Sequence, residues 1–186
     1  QGFCYNGNGY VAAYYNNGVV FHSFDLTGNL LNTKTITTSG LTGVNDMTYF
    51  NGQYYVCYDS TISIFDTNLN FVSNITPNTG FIAGISKTDK IIYYVIDPNS
   101  KIIFYDLENT KICETSIPYT QSVTTQVYQG MEIVNNEIYL IINRNNAIIK
   151  IDISSGNIIN IYNLSAGNET FPYGEIEALC YNSIDL

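Results

Sequence analysis

Tryptophan is absent from this chain of 186 residues, and histidine occurs once, as His22. A Ser–His–Asp or Cys–His arrangement would therefore have a single base to draw on, and no G-x-S-x-G, P-loop or HExxH pattern accompanies it. The four cysteines stand at 4, 57, 113 and 180 with no Cys-x-x-Cys spacing, which argues against a zinc site. Only 7 bases oppose 16 acids, giving a net charge of −9. Such a surface repels phosphate backbones and anionic lipid, so nucleic-acid and membrane-surface roles are disfavoured. No apolar run approaches the roughly 18 residues that a membrane-spanning helix needs. Charged residues make up 12% of the chain, too few for a solvated helical bundle. The chain opens at Gln1 with neither a methionine nor a charged and apolar leader, as expected of a processed chain or an excerpt of something longer.

What is abundant points one way. The 17 tyrosines and 9 phenylalanines join many Ile and Val residues that fit a pleated, half-buried surface. Asn, Gly, Thr and Ser supply the turns between them. An all-β single domain is the expected class at this length.

A repeat fixes the architecture. A strand ending in aspartate recurs as VVFHSFD (19–25), TISIFD (61–66), KIIFYD (101–106) and AIIKID (147–152). Asp25, Asp66, Asp106 and Asp152 are 41, 40 and 46 residues apart, and turn residues follow each one. Before each aspartate lie two more strands, the first of them in QGFCYNG, VNDMTYFNG, FIAGISKTD and QGMEIVNN. After each lies a fourth, such as LLNTKTI or NIINIYNL. Four short strands every ~40–45 residues is the period of a β-propeller blade. Blades are expected at about 1–43, 44–80, 81–128 and 129–172, with GEIEALCYN opening a further blade in 173–186. The expected ring has five blades, the fifth incomplete in this chain. The alternative is a four-bladed ring that uses the last strand as its closure. Cys4 and Cys180 stand in FCYN and LCYN, a shared repeat position, and the cysteines are read as buried free thiols.

The openings QGFCYNG, NDMTYFNGQYYVCYD, QGMEIVNNEIYL and GEIEALCYN resemble those of bacterial and phage surface propellers of the NHL and quinoprotein-like groups. The five-bladed platform of staphylococcal phage receptor-binding proteins is one such setting. That resemblance implies attachment to cell-wall glycopolymer, at the level of the fold and not of individual residues.

Polar groups recur where the first strand of a repeat begins: Gln1, Asn45 with Asp46, Gln129 with Glu132, and Glu175 with Glu177; the third repeat, FIAGIS, lacks one. Near the axis these are expected to be hydrated or bonded to backbone. Alternatives are sugar binding and a calcium ion held by Asp46, Glu132, Glu175 and Glu177. A rim rich in Asn and Asp adds Tyr119, Tyr128 and Arg144 as candidate glycan contacts. The repeated aspartates are read as turn formers and His22 as a core or edge histidine. Asn74, Asn163 and Asn168 head N-glycosylation sequons. The expected function is a non-catalytic module of an extracellular, cell-surface or virion protein that binds glycan or a surface protein. An axial-site enzyme similar to calcium-dependent lactonases or glutaminyl cyclases is one alternative, and a homo-oligomeric fibre subunit is another.

Overall fold

Each repeat forms an antiparallel sheet in which sequential strands pair, as short turns between strands favour. The computed structural model describes residues 1–77, 79–97, 101–116, 128–142, 147–164 and 178–182. Blade 1 comprises β1 (Gly2–Tyr5), β2 (Tyr10–Tyr15), β3 (Val19–Phe24) and β4 (Leu30–Ile36). Blade 2 holds β5 (Asp46–Phe50), β6 (Gln53–Tyr58), β7 (Thr61–Asp66) and β8 (Phe71–Ile75). Blade 3 holds β9 (Ile82–Lys87), β10 (Ile91–Asp97), β11 (Lys101–Asp106) and β12 (Lys111–Ser116). Blade 4 holds β13 (Tyr128–Val134), β14 (Glu137–Ile142), β15 (Ala147–Asp152) and β16 (Ile158–Asn163). Strand order follows chain order in all four sheets. The first strands adjoin one another, β1 beside β5, β5 beside β9 and β9 beside β13. The chain is a β-propeller of four-stranded blades, and four blades are what the described residues form.

Alternation within strands loads both faces of each sheet, and the faces pack blade on blade. Val11, Val19 and Phe21 of blade 1 meet Met47, Val56 and Phe65 of blade 2. The Phe21 and Phe65 rings cross edge to face at 4.9 Å, a contact worth about 1 kcal/mol beyond the area it buries. Blade 2 meets blade 3 through Cys57, Ile62 and Ile64 against Ile82, Ile85 and Tyr93. Blade 3 meets blade 4 through Ile92, Tyr94 and Phe104 against Met131, Leu140 and Ile149. The outermost strands carry most of the exposed large apolar side chains, among them Leu31, Val72 and Ile159.

Blades 4 and 1 share no buried hydrophobic cluster among the described residues. Residues 178–182 run between them instead. The Tyr181 amide donates to Glu132 Oε2 on β13, and Asn182 Nδ2 donates to the Tyr10 hydroxyl on β2. In sequence, Leu179-Cys180-Tyr181-Asn182 matches Phe3-Cys4-Tyr5-Asn6, so this segment stands where a further first strand would stand.

The repeated aspartates build the perimeter turns, as their positions predict. Asp25 Oδ1 accepts the amides of Thr27 and Asn29, each at 2.9 Å, and Asp66 Oδ1 does the same for Asn68 and Asn70. Asp106 accepts from Glu108 and Thr110, and Asp152 from Ser155. A left-handed residue completes each turn: Gly28, Leu69, Asn109 and Gly156. Side-chain bonds from Asn29 and Thr27 hold the Asp25 carboxyl down at about 2.

Candidate functional site

Asp46 lies at the hub, at the start of β5, with no exposed surface. Its Oδ1 accepts the amide of Met47 at 2.9 Å. Its Oδ2 accepts two amides from other blades, Ile85 of β9 at 3.0 Å and Met131 of β13 at 2.9 Å. One carboxylate thus ties three first strands together. Local sequence makes room for it. Gly84 and Gly130 stand at the matching position of the repeats in blades 3 and 4, as Gly2 does in blade 1. A Cβ on Gly84 would overlap the Tyr94 ring and press on Asp46 Oδ2. Gly130 has φ +75°, and an irregularity in the β13–β14 register between Tyr128 and Met131 goes with it. The bulge re-aims the Met131 amide at the axis. Burial pushes the Asp46 carboxyl well above the usual carboxylate range, while the three amides pull the other way.

Glu132 sits at the next level of the hub, partly buried. Its Oε1 accepts the Ser86 hydroxyl at 2.8 Å and the Ile133 amide at 3.1 Å, and its Oε2 accepts the Tyr181 amide at 3.3 Å. Burial raises its carboxyl, against the pull of those three donors and of the Lys87 ammonium. Lys87 itself donates to the Tyr49 carbonyl. The Ile133 amide also reaches Ser86 Oγ at 3.1 Å. Ser86 therefore takes an amide from blade 4 much as Glu132 takes one from segment 178–182.

Asn45 is buried, donating its amide to the Cys57 carbonyl and its Nδ2 to the Ile82 carbonyl at 2.8 Å. It is a strut between blades 2 and 3. The terminal ammonium of Gln1 donates to the Val44 carbonyl, and Gln129 lies half-buried in β13. The third repeat does bring a polar group to the hub after all: Ser86, fully buried, two residues beyond Gly84. Glu175, Glu177, Tyr119, Arg144 and Asn168 lie outside the described residues, as does the Tyr128 side chain. Of the other sequons, Asn74 Nδ2 donates to the Ser39 carbonyl, and Asn163 ends β16 on the exposed perimeter. His22 stacks on Tyr14 at 5.4 Å and bonds Thr33, half-exposed on blade 1.

The rim is visible where the turns after the second strands meet the entries to the first strands. The Asp59 carbonyl accepts the Ile82 amide at 2.6 Å. Tyr15, Asn16 and Asn17 are exposed on the same kind of turn in blade 1.

The donor set around Asp46 suits a carboxylate and not a cation, because three N–H groups converge on its oxygens. Among the described residues, no group of three or more His, Cys, Asp or Glu side chains is placed to hold a metal ion.

No protein-family model and no curated protein matches the chain. Solved structures do. A glutaminyl cyclase from Myxococcus xanthus superposes with a TM-score of 0.71 at 12% identity, over 98% of this chain and 81% of that one. A nidogen/laminin complex matches with a TM-score of 0.63 at 9% identity, over 97% of this chain and 67% of that one. Both neighbours are β-propeller proteins. At these identities the likeness establishes the β-propeller fold and nothing finer.

Proposed function

We propose that the protein is a non-catalytic binding module that recognises glycan or a surface protein through one propeller rim. The observation that supports this reading is the use made of Asp46. Its carboxylate is sealed from solvent and its oxygens are occupied by backbone amides of three blades. Of the uses open to an acid near the axis, bonding to backbone amides is the one that Asp46 makes, and it acts as a rivet. Exposed polar and aromatic groups remain at the rim turns, such as Tyr15, Asn16 and Asn17. Amides and tyrosine faces hold sugars and protein surfaces by hydrogen bonding and stacking. A propeller neighbour solved in complex with laminin is consistent with a protein-binding role. The setting proposed is a cell surface, secreted assembly or virion.

The test is a glycan array together with a pull-down from cell-surface extracts, using the wild type and a Tyr15→Ala/Asn16→Ala/Asn17→Ala variant. Saturable binding that weakens in the folded variant supports the proposal. Binding to neither probe set, or binding untouched by the rim substitutions, contradicts it.

A further inference from the structure

A cavity of about 350 Å³ lies between one face of blade 4 and segment 178–182. Its walls are mostly apolar or aromatic: Val134, Tyr139, Ile148, Leu179 and Tyr181. Glu132 is the one acid that lines it, and no Lys, Arg or His does so among the described residues. Blade-on-blade packing covers the matching face of blades 2 and 3, whereas here the described residues leave a cavity beside Glu132.

We propose that this cavity binds an aliphatic primary ammonium group, with Glu132 Oε2 as its acceptor and the apolar walls holding the attached chain. Three observations carry the assignment. The first is the state of the Glu132 oxygens. Oε1 takes two bonds at 2.8 and 3.1 Å, whereas Oε2 takes one long bond of 3.3 Å. A carboxylate oxygen has room for a second donor, and an ammonium makes the strongest one.

The second is charge. Asp46 and Glu132 lie within electrostatic reach, and the Glu132 charge adds to the cost of ionising Asp46. Lys87 favours the ionised form of Glu132 from a distance, and its ammonium donates to the Tyr49 carbonyl and makes no hydrogen bond to Glu132 among the described residues. A bound ammonium would supply the compensation that burial denies, and a net charge of −9 draws cations in. The apolar walls select an organic cation over a hydrated metal ion, which needs several oxygens.

The third is that the same face already shows this chemistry. The Lys150 ammonium sits 2.8 Å from Glu137 and 5.7 Å from the centre of the Tyr139 ring. Tyr139 is shared with the cavity, so an ammonium held between a glutamate and a tyrosine is solvated in the same way one residue pair away.

The experiment titrates n-butylammonium chloride into 15N-labelled protein and follows the Tyr181 and Ile133 amides, both bonded to Glu132. Saturable shifts are expected there, with affinity about 10-fold or more above that for 1-butanol, and none with butyrate. Glu132→Gln is expected to weaken butylammonium binding about 10-fold or more. Ile148→Trp, which leaves Glu132 in place and fills the cavity, is expected to abolish the shifts while keeping a native spectrum. It decides the matter if Glu132→Gln fails to fold. Equal binding of butanol and butylammonium overturns the proposal. So do equal shifts with ammonium chloride, shifts spread over surface acids, or undiminished binding in the folded Ile148→Trp protein.

Discussion

Asp46 at the hub and Asp25 at the perimeter are the same side chain doing the same thing, accepting backbone amides, with opposite consequences. Asp25 closes one turn from within and stays in contact with water, so its bonds lower its carboxyl to about 2. Asp46 draws its amides from three blades, and burial outweighs them, so its carboxyl rises. Bonds made locally at the surface organise a turn. Bonds made at the axis organise the ring, at the cost of desolvating a charge.

The comparison breaks first at Asp46. Replacing it with alanine strands three buried amides, and a loss of about 3–5 kcal/mol in urea unfolding is expected, with all blades affected together. Gly84→Ala forces a methyl against the Tyr94 ring and should cost about 1–3 kcal/mol by the same measurement. At the perimeter, Leu69→Gly relieves a left-handed φ of +59° but empties a buried site, so a net loss of about 1–2 kcal/mol is expected. Asp25→Ala should give the smallest drop in melting temperature, with amide exchange quickening in its own turn and not in the hub.

Proton linkage sharpens the contrast. A raised acid stabilises the fold at low pH, and its contribution fades as pH rises from the unfolded value, about 4, through the folded one. Asp46 and Glu132 belong to this class. The perimeter aspartates behave in reverse, since their contribution is present above about 4 and is lost as pH falls through the folded value. Unfolding free energies measured between pH 2 and 8 should therefore flatten on the acid side in Asp25→Ala and on the neutral side in Glu132→Gln.

The blades were legible in the sequence because strand alternation and Asx turns are local, and the spacing of Asp25, Asp66, Asp106 and Asp152 reports them directly. The hub was half legible. Asp46 and Glu132 stood out as acids at the start of first strands, but what they bond is set by neighbours 39 and 85 residues away for Asp46, and 46 and 49 residues away for Glu132. Nothing in FIAGIS distinguishes Ser86 from a turn serine until β9 lies beside β13. Likewise Asn45 reads as a polar group at the entry to a first strand and proves to be a buried strut, because its side chain bonds the Ile82 carbonyl of the next blade. That blades 4 and 1 share no buried hydrophobic cluster among the described residues follows from how sheets pack, which no single repeat encodes.

Hydrogen exchange of the Met47, Ile85 and Met131 amides tests the rivet most directly. These three should fall in the slowest class of the wild-type protein, exchanging only by global unfolding, and should quicken together in Asp46→Asn. Exchange at the rate of the perimeter turns, or protection that survives the substitution, would contradict it.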